Sequence, residues 1–143
     1  MSAFCSLSPV SAAVFAALNV PALTALAPGG VWDQLPQGTA LPCVLLEAQE
    51  VQQLGGFGTR PGAGAIPELE LRIHVFSQYE GFKQAQTVMA KVLELLPPGA
   101  LAVTGYRSHG PFHEETVPLP DEVVAGVRVN ELVARFHLYV EEL

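Results

Sequence analysis

Apolar and polar residues alternate most cleanly just before the middle of the chain. Leu69, Leu71, Ile73 and Val75 fall on one parity, and Glu70, Arg72, His74 and Phe76 on the other. A period of two puts alternate side chains on opposite faces of a strand, so this segment predicts a half-buried β-strand. The same period returns in a strand expected over residues 127–141, where Leu132, Ala134, Phe136, Leu138 and Val140 share one face and Val133, Arg135, His137 and Tyr139 the other. Between these two the period changes to that of a helix, expected over Tyr79–Leu96. Phe82, Ala85, Met89, Val92 and Leu96 form its apolar stripe, widened by Val88 and Leu95, while Glu80, Lys83, Gln86, Lys91 and Glu94 lie off it. Pro97, Pro98 and Gly99 stop that helix.

The N-terminal third is punctuated by prolines and glycines. Ser8 and Pro9 read as the N-cap and first position of a helix carrying Val10, Val14, Phe15 and Leu18 at helical spacing. A second helical turn is expected over Val20–Leu26, with Leu23 and Leu26 on one side, ended by Pro28, Gly29 and Gly30. In "GVWDQLPQGTALPCVLLE", Val31–Gln34 predicts a short strand and Pro36, Gln37 and Gly38 a turn. Pro42 lacks a ladder donor and so belongs at the start of the next strand, Cys43–Leu54. The first part of that strand is apolar on both faces, as in a sheet interior, and Glu47–Gln53 turns polar and is expected to run past the core. Residues 55–66, "GGFGTRPGAGAI", hold five glycines and a proline, the composition of a flexible tip on a protruding hairpin. Further strands are expected over residues 101–108 and 112–118. The order α-β-β-β-α-β-β-β is not the alternation of a parallel α/β fold. It predicts an α+β domain spanning residues 1–143, a mostly antiparallel β-sheet with two α-helices packed on one face and a long Gly-rich hairpin loop.

Composition narrows the function classes. A chain of 143 residues is long enough to bury roughly 70% of its unfolded surface without disulfide staples. Half of the residues are hydrophobic and only 15% are charged, a sparse surface charge that fits contacts with partners. Fourteen acidic residues against seven basic give a net charge of −7, so counterion release on a basic patch is not available for binding DNA. Cys5 and Cys43 are far apart and read as two thiols rather than a bridge. Residues 1–32 carry no charge, yet a signal peptide needs a basic n-region, and Asn19 and Pro21 interrupt the apolar segment; the stretch is expected to be retained. No uninterrupted apolar run reaches the roughly 18–20 residues of a membrane span, so no membrane partner is expected.

The search for chemistry yields no catalytic, cofactor or metal set. His109 and His113 in "HGPFHEE" stand four apart, but Gly110 and Pro111 rule out the helical face that such a metal pair requires, and the segment reads as a solvated loop before a strand. The glycine segment, residues 55–66, is followed by neither a lysine nor a helix, so it does not read as a phosphate loop. His74 and His137 alternate with core residues and read as satisfied sheet histidines. Cys43 sits in an apolar run and reads as a small buried hydrophobe. Asp33 and Glu47 flank the turn without evidence of a cleft for acid–base work. Trp32 reads either as half-buried beside the first helix or as an interface anchor.

The order of landmarks resembles the tail completion or tail terminator family of long-tailed bacteriophages and gene transfer agents. The resemblance lies in "VPALTAL", then Gly29, Gly30, Val31, Trp32 and Asp33, then the P-x-G-x-x-x-P loop of Pro36, Gly38 and Pro42. It continues in "ELELRIHVFSQYEG", leading through Val75, Phe76, Ser77 and Gly81 into "FKQAQTVMAKVLELL", and in the terminal "VARFHLYVEE". Cys43 stands where the family usually has an aromatic, and Phe76 where tryptophan is common. The resemblance implies a virion protein, assembled in the host cytoplasm, that forms a homo-hexameric ring. Such a ring caps the tail tube protein, ends tube growth, and joins the tail to the head–tail connector while DNA passes non-specifically through the lumen. Gly55, Gly56, Phe57, Gly58, Thr59 and Arg60, with Trp32, are the expected partner contacts. Two other readings stay open: a head-completion or tail tube ring protein, and a small α+β enzyme or ligand-binding domain built on "HGPFHEE".

Overall fold

The structure, a computed structural model, describes residues 7–54, 66–78, 82–124 and 126–142. Its elements are α1 (Leu7–Leu18), α2 (Pro21–Thr24), β1 (Val31–Trp32), β2 (Cys43–Leu54), β3 (Ile66–Ser77), α3 (Lys83–Leu95), β4 (Tyr106–Val124) and β5 (Val127–Glu142). Five strands form one sheet in the order β1-β2-β3-β5-β4. β1 runs parallel to β2, and every other pairing is antiparallel. The architecture is the expected α+β, a mostly antiparallel sheet with its helices on one face.

Alternation along β3 sets the two faces. Leu69, Leu71, Ile73 and Val75 are fully buried, and across the ladder they meet Leu138, Phe136, Ala134 and Leu132 of β5. α1 packs on β1 and β2, α3 packs on β3 and β5, and both α1 and α2 touch α3. The stripe of α3 is buried as its spacing predicts, at Ala85, Val88, Met89, Val92 and Leu96. Neither an acidic residue in its first turn nor a basic one in its last supports α3, and its N-cap Phe82 makes no side-chain cap, so packing of the stripe holds the helix. Phe136 is the largest fully buried side chain and lies at the centre of this core.

Several sequence expectations are corrected. α1 already includes Leu7, so Ser8 lies inside the helix rather than capping it. Val10, Val14 and Leu18 point inward at strict i, i+4 steps, which leaves Phe15 40% exposed. α2 spans only Pro21–Thr24; Leu23 is buried but Leu26, beyond its end, faces solvent. β1 has two residues instead of four. α3 starts at Lys83, and Tyr79, Glu80 and Gly81 lie outside the described residues. Residues 101–108 and 112–118 are not two strands: β4 is one strand of 19 residues. Register shifts between His109 and Phe112, His113 and Glu115, and Leu119 and Glu122 break its alternation, which hides it from a period-two reading. Gly110 sits at the first of them with φ +118, a backbone region that L side chains rarely adopt.

The join between β1 and β2 explains the Gly29–Gly30 pair. Gly29 N–H donates to the Pro42 carbonyl at 3.0 Å, and Val44 N–H to the Gly30 carbonyl at 2.9 Å. A β-carbon on Gly29 would stand 1.9 Å from the Ala40 carbonyl oxygen and 2.8 Å from Cys43 Cβ. Only glycine lets the two segments cross this closely. Cys43 is a free, buried thiol beneath the crossing, and desolvation pushes its pKa up to about 11.

Two outcomes follow from this crossing. Gly29→Ala should lower unfolding stability by about 1–3 kcal/mol or more, since the added methyl must displace backbone; a wild-type urea midpoint would contradict the packing. Cys43 should resist iodoacetamide at pH 8 in the folded chain and react once urea unfolds it, read by peptide mass spectrometry. Rapid modification in the folded state would show that the thiol is not buried.

Candidate interaction surface

Among the described residues, no group of three or more His, Cys, Asp or Glu side chains is placed to hold a metal ion. His74, His109 and His137 are held instead in cross-strand pairs on the open face of the sheet, and His113 bonds within its own strand. His74 Nδ1 lies 2.5 Å from Glu131 Oε2 on β5, and its Nε2 contacts Glu47 Oε1 on β2. His74 is the satisfied sheet histidine that its position predicts. "HGPFHEE" is not a loop: its residues lie within β4. His109 pairs with Glu141 at 3.3 Å, His113 with Thr116 at 2.8 Å, and Glu114 with His137 at 2.7 Å. The two histidines of the motif thus serve separate partners. Arg135 is shared among Glu70, Glu114 and Glu115 at 3.6, 3.4 and 2.9 Å. On the same face a side-chain hydrogen bond with Glu68, more than burial, raises the Tyr139 phenol above its ordinary pKa.

The exposed large hydrophobics divide between the two sides of the sheet. Trp32 is on β1, one edge of the sheet, with Phe15 and Leu26 exposed on the helical side of the chain. Phe112, Val117 and Val123 are on β4, the opposite edge, and Val51 is on β2. Trp32 is 36% exposed, and its Nε1–H donates to the Gly29 carbonyl at 2.7 Å, which fixes the indole against its own chain. Asp33 follows it, exposed and in no ion pair among the described residues.

On the open face beside β4 lies a groove of about 270 Å³, lined by Arg72, His74, Val117, Leu119, Val133 and Arg135. Its lining is mostly apolar. Sequence reading does not find it, because Val117 comes opposite Val133 only through the shifted β4–β5 register. Gly55, Gly56, Phe57, Gly58, Thr59 and Arg60 lie outside the described residues. The stem of their hairpin is present, with β2 and β3 paired as far as Leu54 and Ile66. No helix among the described residues is long and apolar enough to cross a membrane.

Comparison with known proteins agrees with the landmark order. The family described as "Tail completion protein gp17" matches residues 12–140. No curated protein matches the sequence. Among solved structures, a chain of the virion of a native gene transfer agent particle superposes with a TM-score of 0.73 at 23% identity, covering 96% of this chain and 99% of that one. A second solved chain shares the fold at a TM-score of 0.55 and 16% identity, with 95% and 96% covered. The family match takes in α2, α3, β1 to β4 and most of α1 and β5, and by it the chain belongs to the tail completion protein gp17 family, structural proteins of the virion tail.

Proposed function

We propose that the chain forms a hexameric ring that caps the tail tube, ends its growth and joins the tail to the head connector, with DNA passing through the lumen. The observation that carries this reading is the family match over residues 12–140. The fold shared with a chain of a gene transfer agent virion supports it. So does the surface: apolar residues stand exposed on opposite edges of one sheet, as a head-to-tail ring contact requires. The role is structural rather than catalytic, a reading supported by the candidate histidines, which are engaged by glutamates across strands or, at His113, by Thr116 of the same strand. A net charge of −7 suits a conduit, because an acidic wall does not hold the duplex. In this reading Phe57 and Arg60, in the β2–β3 connection, contact a neighbouring ring, and residues 1–143 act as a single domain.

Electron microscopy of the purified chain mixed with tail tubes of its own particle tests the reading. Rings seated on one tube end are expected. Rings on the head portal instead would assign the chain to head completion, and no rings in either mixture would reject a ring protein. Deleting residues 56–64 should leave the melting transition in place but block head joining; infectious particles at wild-type yield would remove the hairpin from the interface.

A further inference from the structure

We propose that the far end of the β4–β5 hairpin docks on the end of the tail tube, at the face of the ring opposite the β2–β3 hairpin. The contact rests on the ring reading and names the partner at one of its two faces. β3 pairs with β5 only as far as Ser77 and Asn130. β4 and β5 stay paired beyond that point, Glu122 with Val129, Val123 with Arg128 and Val124 with Val127. The hairpin therefore runs about 10 Å past the last residue of β3 as a two-stranded ribbon. The other hairpin leaves the sheet in the opposite direction, with its stem paired as far as Leu54 and Ile66. From Ile66 along β3, and on along β5 to Val127, the two ends stand roughly 45 Å apart at about 3.3 Å per residue.

The ribbon is built for a contact. Two strands alone are marginally stable in water, and no third strand flanks these: β4 is the edge of the sheet, and β3 has ended. The ribbon nonetheless presents Val123, 68% exposed and the most open large hydrophobic among the described residues. Glu122 precedes it in the chain and Arg128 faces it across the ladder, both exposed. An apolar side chain inside a charged rim is the make-up of a contact surface. The partner it fits offers an apolar spot to Val123 and polar groups to Glu122 and Arg128.

The direction of the ribbon selects the occupant. Copies that stand side by side in a ring meet across the lateral edges of the sheet, β1 and β4, whereas the ribbon points along the strands and past their end. A capping ring has one partner on each face. In the ring reading, the β2–β3 connection serves the neighbouring ring on the head side, and a partner seated there does not reach the far end of the same sheet. The ribbon is left for the tube. It is paired to its last residues, with Gly126 at φ +80 in the turn, so it docks preformed and at little cost in ordering.

Cross-linking on assembled tubes tests the contact. In a Cys5→Ser background, Glu122→Cys is labelled with a maleimide photo-crosslinker, mixed with tail tubes of its own particle and irradiated. Adducts with the tube protein are expected, mapped by peptide mass spectrometry. Rings on the tube ends with adducts only between copies of this chain, or with none, would overturn the docking and leave the ring intact. A wild-type chain that places no ring on tubes would overturn the ring reading, and this contact with it. Separately, Val123→Glu changes an exposed side chain and should keep the wild-type melting transition, yet cut the fraction of capped tube ends about tenfold or more. The chain lacking residues 56–64 should cap tubes as wild type does. Wild-type capping by Val123→Glu, or loss of capping on that deletion, would move the tube contact away from the ribbon.

Discussion

The placement of everything at the β1 edge depends on one close approach. Gly29 lies so near Ala40 and Cys43 that a single β-carbon would collide with backbone. That contact forces residues 29–32 to run beside the start of β2, and it makes β1 parallel where the rest of the sheet is antiparallel. It also sets the carbonyl that receives the Trp32 indole N–H. A larger residue at 29 would lift β1 away and release the indole together with the edge. The Gly-Gly pair is thus a packing requirement, and the exposed tryptophan is its consequence.

The same economy of local support appears in the helices. α1 has no charged residue, and α3 has neither a side-chain cap nor charges matched to its dipole. Isolated helices of 12 and 13 residues without such support are marginal in water. They persist because the sheet presents an apolar face to each, Val31, Val44 and Leu46 on β1 and β2 under α1, and Leu69 to Val75 and Leu132 to Val140 on β3 and β5 under α3. Exposed ion pairs on the opposite face add little each, typically below about 1 kcal/mol. Their arrangement matters more for what the face presents: glutamates are tied to histidines at one place and to Arg72 and Arg135 at another.

How much of this the sequence shows depends on how regular each segment is. β3, β5 and the stripe of α3 are legible because one period runs through each without interruption. β2 is legible to its boundaries because Pro42 starts it. β4 is not, since each bulge moves its apolar residues to the other parity, and Gly110 and Pro111 suggest a loop where an edge strand tolerates them. Phe15 misleads because it is one step from Val14 on a helix whose buried stripe is narrow. Trp32 leaves both of its readings open in the sequence, and only the sheet order puts it on a free edge. The groove was beyond reach for a different reason: its residues come from β3, β4 and β5, and a shifted register decides which of them share a face.

These irregularities have a common effect on assembly. A sheet with two regular edges would offer strand pairing at both, which gives open-ended growth rather than a closed object. Here one edge is cut to two residues by the Gly29 crossing, and the other is interrupted by bulges and by Pro118 and Pro120. Backbone pairing is suppressed on both sides, while an aromatic remains exposed on one and an apolar groove beside the other. In the proposed ring, association between copies is carried by side chains, whose shape fixes the angle between neighbours. A fixed angle limits the number of subunits, so the features that make β4 and β1 poor strands agree with the proposed ring.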